Sequence, residues 1–322
     1  IDCKIYLPFD FPWLVRKALK KIKPKKLIFA AYDIWPNLIW SAKATDTPTV
    51  LFAAKFKKNT KKLIPLVRNF YQHVYSNFNS IYTITKNDDE KIRLILGKSN
   101  KMILRVLGNP RYDQVKNSQD QYSINHSKEI FNRNKSIILG SMHSEDKNCI
   151  INGLLDLLKH DDDFNIIWVP HEPTPSEINN VYDCFAHKGY TVELYSKIDN
   201  LEANDSKITI VDVIGELSKI YWEGKIAYIG GGFSTGIHNV MEPAIARLPV
   251  IFGPRYDNFQ EAIELIDLGG GWSINNNKEF YKIVNKLLNN EEMLLKASKA
   301  ATDVIHNNIG ASTRVVRGII RD

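Results

Sequence analysis

The sequence predicts an α/β protein of the doubly wound class. Nine short, almost continuous apolar runs have the composition of strands that are buried in a parallel sheet. Segments with apolar residues three or four positions apart alternate with these runs, as expected for the crossover helices that parallel strands need. Loops that contain glycine or histidine follow several runs, which is typical of the ligand-binding edge of such sheets.

These patterns place the elements along the chain. The predicted strands are 26–29, 49–52, 80–83, 102–106, 136–139, 165–169, 208–211, 226–229 and 249–252. The predicted helices include 148–159, 175–188, 214–222, 242–246 and 259–268, and a helical pattern over 291–322 is broken at 307–310.

Composition restricts the function classes. With 322 residues, of which 44% are hydrophobic and 25% charged, the chain is long enough for about two globular domains, which excludes a disordered chain. The three cysteines form no C-x-x-C pair, so neither a disulfide framework nor a thiolate metal site is supported. No run of 18 or more apolar residues is present, which excludes a membrane-spanning helix in this sequence.

The polar stretch 116–134 predicts a connection between two domains. We expect a partial amino-terminal domain over 1–118, a linker over 119–134, a second domain over 135–300 and a terminal helix over 301–322 that returns to the first domain. The first domain has only about four predicted strands, and the sequence opens inside an apparent strand without a methionine. We therefore expect the first domain to be incomplete and the chain to come from a longer protein.

The positive charge is concentrated at one end. Residues 1–68 hold 15 basic residues against 4 aspartates, a net charge of +11, whereas the whole chain carries +7. A helix predicted from Pro12 places an apolar stripe opposite Lys17, Lys20 and Lys21, and a second cluster contains Lys55, Lys57 and Lys58. Either these are solvated faces, or they attract an anionic surface such as nucleic acid or anionic lipid. Because no nucleic-acid-binding motif accompanies them, a membrane or a phosphorylated ligand is favoured.

The segment 228–244 is the most informative motif. Gly230, Gly231 and Gly232 end a predicted strand, Gly236 allows a second turn, and His238 and Asn239 precede a helix near Glu242. Free N–H groups of this loop and the start of that helix predict an anion site, with Glu242 accepting hydrogen bonds from the hydroxyls of a ribose. Neither a Walker loop nor G-x-G-x-x-G spacing is present, so the pattern favours a nucleotide that main-chain amides bind, or else a purely structural turn.

Two further loops follow strands of the same predicted domain. One contains Gly140, Ser141 and His143, and the other contains Pro170 and His171. With His238, three histidines are predicted to converge on one edge of the sheet, unless each is merely exposed or hydrogen-bonded locally. Zinc is not expected, because no H-x-x-x-H or comparable pair occurs on a helix.

Two charged residues end strands in the first domain. Arg111 follows a strand and a turn, where it can pair with a phosphate or carboxylate in an interdomain cleft, or with Asp113 beside it. Asp33 lies either at a crevice edge or at the amino-terminal cap of a helix.

The order of these motifs resembles the 3-deoxy-D-manno-octulosonic acid (Kdo) transferases over essentially the whole chain, in a form similar to Bacteroidetes-like members and without the family's amino-terminal segment. The motifs that carry the resemblance are Trp35-Pro36-Asn37, Gly108-Asn109-x-Arg111-x-Asp113, Gly140-Ser141-x-His143, Pro170-His171-Glu172, Asp212-x-x-Gly215-Glu216-Leu217, Gly230-Gly231-Gly232-Phe233, Gly236-x-His238-Asn239-x-x-Glu242-Pro243, Gly253-Pro254 and Asn258-Phe259.

The resemblance implies a GT-B glycosyltransferase, in which two Rossmann-like domains face each other across a cleft. Such an enzyme moves Kdo from CMP-Kdo to a lipid A precursor (lipid IVA) in lipopolysaccharide biosynthesis, with inversion and without a metal or other cofactor. It implies a peripheral enzyme on the cytoplasmic face of the bacterial inner membrane, whose partners are the donor, the glycolipid acceptor and the anionic membrane surface, with no nucleic acid.

The resemblance also implies residue roles. The donor phosphate is expected near Gly140, Ser141 and His143, and CMP near Gly231, Gly232, His238, Asn239 and Glu242, with Pro170, His171, Gly230 and Gly236 in the same site. Arg111 is the expected cleft cation together with Lys55, which stands where the family usually has arginine. The expected acceptor or membrane side carries Lys17, Lys20, Lys21, Asp33, Lys57 and Lys58.

The catalytic base is the largest departure from the family. Its glutamate base lies upstream of Ile1 in family members, and neither Asp10 nor Asp33 matches its motif. We therefore expect this chain alone to transfer poorly. Two alternatives remain: another GT-B enzyme that uses a UDP- or GDP-sugar, such as a nonhydrolysing epimerase, and a non-catalytic module that binds anionic membranes.

Overall fold

A computed structural model describes residues 4–97, 102–123, 129–199, 201 and 204–322, with the side chains of 119–123 left aside. The chain forms two compact units: residues 1–113 together with 308–322, and residues 114–307. The first unit therefore contains both ends of this sequence. Among the described residues, every helix is too short or too polar to span a bilayer.

The first unit is built on a four-stranded parallel sheet in the order β1-β2-β3-β4. Proline occupies the first turn of α1, α2 and α3, where its missing N–H leaves no helical hydrogen bond unmade. The elements are α1 (Pro12–Ile22), β1 (Leu27–Ala30), α2 (Pro36–Ala44), β2 (Thr49–Ala54), α3 (Pro65–Tyr75), β3 (Ser80–Thr83), α4 (Lys86–Leu96), β4 (Ile103–Val106), the start of α5 (Arg111–Ser123) and, from the end of the sequence, α13 (Ala311–Arg321).

The last helix packs on the sheet of the first unit. Val315 of α13 joins a buried cluster with Val50 and Tyr82, and the ring of Tyr82 lies against Gly318. Asp113 accepts hydrogen bonds from the amides of Gly310 (2.6 Å) and Ser312 (2.8 Å), at the beginning of α13. Residues 308–322 are thus held by both apolar packing and helix capping.

The second unit contains a seven-stranded parallel sheet in the order β11-β10-β9-β5-β6-β8-β7. Its core lies between this sheet and the flanking helices and includes Trp168, Phe185 and Phe280, all fully buried. The elements are β5 (Ser136–Met142), α6 (Ser144–His160), β6 (Asn165–Pro170), α7 (Pro175–Ala186), β7 (Val192–Leu194), β8 (Ile208–Ile210), α8 (Leu217–Ile220), β9 (Ile226–Ile229), α9 (Met241–Ile245), β10 (Val250–Phe252), α10 (Gln260–Leu268), β11 (Gly271–Ser273), α11 (Asn277–Leu288) and α12 (Glu291–His306).

The strand order of the second unit reverses beside β5. The chain runs outward from β5 through β6 to β7 at one edge and returns to β8 between β6 and β7, then crosses back and places β9 on the other side of β5. The connections that follow β5 and β9 lead in opposite directions along the sheet at this point. In doubly wound sheets, ligands bind in the crevice that such a reversal leaves outside the carboxyl ends of the strands. The fold therefore singles out the loops after β5 and β9.

The nine predicted strands are all present, most within one or two residues of their predicted ends, and the break at 307–310 separates α12 from α13. The sequence did not predict β7 and β11, which are three-residue strands at the two edges of the second sheet. The expectation of a strand at the start of the sequence is wrong for residues 4–6, and residues 1–3 lie outside the described part.

The unit boundaries differ from the predicted ones. The division falls after Asp113 rather than at residue 118, inside α5, because this helix runs through the polar stretch as far as Ser123. Residues 124–128 of the predicted linker lie outside the described residues, and residues 130–132 form a 3₁₀ turn. At the other end, residues 301–306 belong to α12 in the second unit, so the returning segment begins at Asn308.

Candidate functional site

The loop after β5 is shaped by an irregular strand end. The register with β6 shifts between Leu139 and Met142, and Ser141 has a left-handed backbone with φ of 54°. Gly140 has no room for a side chain, because a Cβ there would lie 2.2 Å from the hydroxyl oxygen of Tyr221. Tyr221 is fully buried, and this burial raises the pKa of its hydroxyl.

The glycines after β9 pack against other backbone. A Cβ on Gly230 would lie 2.2 Å from the carbonyl oxygen of Ser141, and one on Gly232 would lie 2.5 Å from the amide nitrogen of Gly253. Gly231 has φ of 89°, which glycine adopts without strain. Because these glycines have no side chains, the loops after β5, β9 and β10 contact one another directly. The sequence had instead suggested that the glycines leave room for a ligand.

The prediction of free amides in this loop is wrong for Gly230 and Gly231. The Gly230 amide donates to the Gly140 carbonyl at 2.9 Å, and the Gly231 amide donates to Oδ2 of Asp146 at 2.7 Å. The second oxygen of this fully buried carboxylate accepts from the Tyr228 hydroxyl at 2.8 Å. Because these groups are satisfied within the protein, they cannot be the main-chain donors to an anion.

The helix that was expected to bind the anion is also short. Helix α9 has five residues, and the amide of Met241 at its start donates to Oδ1 of Asn239 at 3.1 Å. The 17-residue α6 begins directly after the loop of β5 instead, and its N-cap residue His143 places no side-chain hydrogen bond on the helix. The positive dipole end at the switch point of the sheet therefore belongs to α6.

Three histidines converge here, as the sequence predicts. His143, His171 and His238 follow β5, β6 and β9, and their ring centroids lie 4.5 Å (143–171), 4.5 Å (171–238) and 5.1 Å (143–238) apart. The Nε2 atoms of His143 and His238 are 2.8 Å apart, within hydrogen-bond distance. Burial, followed by the neighbouring imidazoles of His171 and His143, lowers the pKa of His238, because a charged ring there is poorly solvated and close to others.

Glu242 lies beside this cluster in the chain. One of its carboxylate oxygens accepts from the side-chain amide of Asn239 at 2.8 Å, so the two polar residues of the motif hold each other in place. Glu242 is half-buried, which leaves part of the carboxylate accessible to a ligand. Its role toward a ribose stays a prediction.

In the first unit, two aspartates occupy structural positions. The carboxylate of Asp10 accepts from the amides of Asn37 (3.1 Å) and Leu38 (2.9 Å) and so caps the start of α2. Asp33 is exposed and accepts from the indole N–H of Trp35 at 3.0 Å. Asp33 is therefore not the amino-terminal cap of α2, because Asp10 takes that role from 27 residues earlier.

The basic residues of the first unit divide into two groups. Lys17, Lys20 and Lys21 are exposed on α1, and Lys57 and Lys58 are exposed in the loop after β2, whereas Lys55 is half-buried. Lys62 differs, because it donates to the Tyr75 hydroxyl at 2.8 Å and lies 4.4 Å from the ring centre of Tyr71. Burial among these rings lowers the pKa of Lys62. Lys62 therefore does not share the solvated position of Lys57 and Lys58.

Arg111 is exposed at the start of α5, and its amide donates to Oδ1 of Asn109 at 3.1 Å. The alternative of a local pairing with Asp113 is not realised: within the described ranges no ion pair joins them, and the Asp113 carboxylate accepts from the amides of Gly310 and Ser312. A ligand role for Arg111 stays a prediction.

Two residues of this site were not predicted. Asp146 connects the first turn of α6 to the loop after β9, and Tyr221 supports the loop after β5. An aspartate in the first turn of an apolar helix looks like an ordinary helix-dipole residue, so its partner 85 positions later could not be found from spacing.

Comparison with known proteins supports the resemblance of this chain to Kdo transferases. Residues 1–114 match the family described as 3-deoxy-D-manno-octulosonic-acid transferase (kdotransferase). The 3-deoxy-D-manno-octulosonic acid transferase of Haemophilus influenzae is 25% identical over 97% of this chain and 73% of that protein. The enzyme of the same name from Chlamydophila psittaci is 25% identical over 89% of this chain and 65% of that protein.

Residues 1–114 thus match the Kdo transferase family, and relatives of that name align with most of the chain. The chain spans between 65% and 73% of the length of these two relatives. Among solved structures, UDP-GlcNAc 2-epimerase from Neisseria meningitidis bound to UDP-GlcNAc superposes with a TM-score of 0.67 at 15% identity, over 97% of this chain and 80% of that one. Together with the two parallel sheets, this likeness shows an α/β fold of the GT-B type.

Proposed function

We propose that this chain is a Kdo transferase, which transfers Kdo from CMP-Kdo to a lipid A precursor, and that its second unit binds the donor. The observation that carries the proposal is the arrangement at the switch point. The start of α6 and three imidazoles lie at one edge of the sheet, after β5, β6 and β9, and the carboxylate of Glu242 follows in α9, held by Asn239.

The donor phosphate belongs at the start of α6. The first amides of a helix and its positive dipole end attract an anion, and His143 and Ser141 lie directly before this helix. This placement retains the predicted roles of Gly140, Ser141 and His143, and it replaces the amides of Gly230 and Gly231 by those of α6. Glu242 is then the acceptor for the ribose hydroxyls.

The first unit has features suited to a phosphorylated glycolipid. Helix α1 carries exposed lysines on one face, and its other face lines an apolar cavity of about 550 Å³ with Val15, Leu19 and Ile22. Lysines attract phosphates, while such a cavity suits hydrocarbon, so one helix offers both chemistries of an amphipathic acceptor. A peripheral position on the cytoplasmic face of the bacterial inner membrane follows from such an acceptor.

The proposed reaction is a direct displacement with inversion that uses no metal ion. The acceptor hydroxyl oxygen forms a bond to the anomeric carbon of Kdo, the bond from that carbon to the phosphate oxygen breaks, and CMP leaves with the electron pair. The hydroxyl proton passes to a general base, to which we assign no residue of this chain. The dipole of α6 and nearby cations stabilise the charge that develops on the departing phosphate.

Calorimetric titration of the full chain with CMP, UDP and GDP tests the donor assignment. We expect CMP to bind at least about tenfold more tightly than the other two, a difference of about 1.4 kcal/mol. Stronger binding of UDP than of CMP would exclude the Kdo donor. That outcome would favour the second candidate, a UDP-sugar enzyme, to which the fold likeness of the epimerase points.

Vesicles test the acceptor side. A variant with Lys17, Lys20, Lys21, Lys57 and Lys58 changed to glutamate is expected to lose binding to vesicles that contain anionic lipid, while it keeps CMP binding. The matched control reverses five exposed lysines of the second unit, Lys159, Lys188, Lys278, Lys296 and Lys299. Equal loss in both variants would show that net charge alone, rather than this face, drives association.

A further inference from the structure

The three imidazoles after β5, β6 and β9 form a compact cluster of nitrogen ligands. One ring nitrogen from each of His143, His171 and His238 lies within 4.8 Å of the others. We propose that this cluster is a binding site for a divalent transition metal ion with the preferences of Zn²⁺. The ion would be additional to the proposed displacement, which does not require it.

The geometry is close to that of a three-histidine site. Zinc–nitrogen bonds of about 2.0–2.1 Å in a tetrahedral arrangement place ligand nitrogens about 3.3 Å apart and ring centres about 5 Å apart. The observed ring centres are 4.5, 4.5 and 5.1 Å apart, which is close to this spacing. The ring of His143 lies within 19° of parallel to the other two rings, so an ion would require the side chains to rotate until their nitrogens converge. The Nε2 atoms of His143 and His238 are 2.8 Å apart, so an ion would separate them by about half an ångström.

The backbone around the three side chains is fixed. The amide of His171 donates to the carbonyl of Met142 at 2.9 Å, and the amide of His238 donates to the carbonyl of Gly230 at 3.2 Å. His143 is the N-cap of α6, and its carbonyl accepts from the amide of Lys147 at 3.1 Å. Each ligand therefore starts from a hydrogen-bonded strand end, which reduces the ordering that metal binding needs.

Both carboxylates and positive charges lie near the cluster, and the carboxylates favour a bound cation. Asp146, fully buried, interacts electrostatically with His238, and Glu145 interacts in the same way with His143. Two effects oppose them: the guanidinium of Arg255, which interacts with Glu145, and the positive dipole end of α6. The carboxylates of Asp146 and Glu145 offset these two positive features. Neutral imidazole is a preferred ligand of zinc, copper and nickel.

The site keeps an open position. His171 is exposed while the other two rings are half-buried, so an ion held by three imidazoles would face solvent on the His171 side. Three protein ligands with a free fourth position are the arrangement of catalytic rather than structural zinc sites. An ion bound here can therefore exchange with the solution.

Metal titration tests the inference with the ion alone as the probe. The full chain, without a polyhistidine tag and treated with a chelator, is titrated with Zn²⁺ by calorimetry and with Co²⁺ by visible absorption. We expect one ion per chain and the intense absorption of tetrahedral Co²⁺. The variants H143A, H171A and H238A are each expected to weaken binding about tenfold or more.

The control variant is H187A, which removes an exposed histidine of the same unit outside the cluster, and it should bind as the parent does. Because His171 is exposed, H171A should fold normally, which circular dichroism and the unfolding temperature verify. Absence of stoichiometric binding, or equal affinity of H171A and H187A, would overturn the inference. CMP titration in the presence of chelator reports separately on the proposed function, so the two can fail independently.

Discussion

The carboxylate of Asp146 accepts a hydrogen bond of 2.7 Å from the amide of Gly231. This contact joins the first turn of the helix after β5 to the glycine loop after β9, across the switch point of the sheet. The same carboxylate accepts from Tyr228, and no part of Asp146 reaches the surface. One buried side chain thus fixes the relative position of the two loops on which the candidate site depends.

The variant D146N tests this role. An asparagine keeps one acceptor oxygen where Asp146 has two, so either the Gly231 amide or the Tyr228 hydroxyl loses its acceptor in a buried place. A buried donor without a partner costs about 1–3 kcal/mol, and we expect the free energy of unfolding in urea to fall by that amount. D163N, which changes an exposed aspartate after α6, should leave stability unchanged. Equal stability of D146N and the parent would show that the contact is not required.

The contact between Gly140 and Tyr221 predicts coupling between two substitutions. In G140A, the new methyl group would overlap the Tyr221 hydroxyl, and overpacking of this kind costs about 1–3 kcal/mol. Removal of the hydroxyl in Y221F leaves the nearest ring carbon 3.2 Å from that position. We therefore expect G140A to be much less destabilising in the Y221F background. Additive effects in urea unfolding would argue against this packing.

Glu242 is expected to contribute to nucleotide affinity. A hydrogen bond to a charged group contributes about 1.5–3 kcal/mol, so E242Q should weaken CMP binding about tenfold or more. The control is E177Q, which changes a partly exposed first-turn glutamate of α7. Calorimetry measures both affinities, and unchanged binding by E242Q would remove Glu242 from the donor site.

Asp113 predicts an acid-sensitive contribution to stability. Partial burial raises the pKa of this carboxyl, but the hydrogen bonds from the amides of Ser312 and Gly310 outweigh it, so the net effect lowers the pKa below its usual value. A lowered pKa in the folded state stabilises the protein above the unfolded value, near 3.9, and this stability is lost as pH falls through the folded value.

The variant D113N removes this contribution. Loss of a helix cap costs about 1 kcal/mol, so we expect D113N to be less stable than the parent by that amount at pH 7, and the difference should shrink toward pH 3. E90Q, which changes an exposed glutamate of α4, serves as the control. A difference that is the same at both pH values would contradict the assignment.

The elements with strong local signals could be predicted from the sequence. Ile137, Ile138 and Leu139 form part of a continuous apolar run, and they are fully buried in β5 at the centre of a sheet. By contrast, β7 contains Val192 and Leu194 around an exposed Glu193, so at the sheet edge it lacks the apolar run that marks a buried strand. The sequence also placed the three histidines on one edge, because each follows a strand.

Long-range pairing explains what the sequence could not provide. The amides of Gly230 and Gly231 were expected to be free because their partners, Gly140 and Asp146, lie about 90 residues away and belong to another element. The same holds for Asp10, which caps α2 although the helix has its own nearby candidate in Asp33. Local propensity predicts which groups need partners, whereas only the fold determines which residue supplies them.

The packing of residues 308–322 on the first unit has a consequence for biosynthesis. Gly310 and its partner Asp113 are separated by 197 residues, and ribosomes add residues from the amino-terminal end. While the second unit is being translated, the surface of the first unit's sheet around Val50 and Tyr82 is not yet covered by α13. The first unit can bury Val50 and Tyr82 under α13 only after that helix has been synthesised.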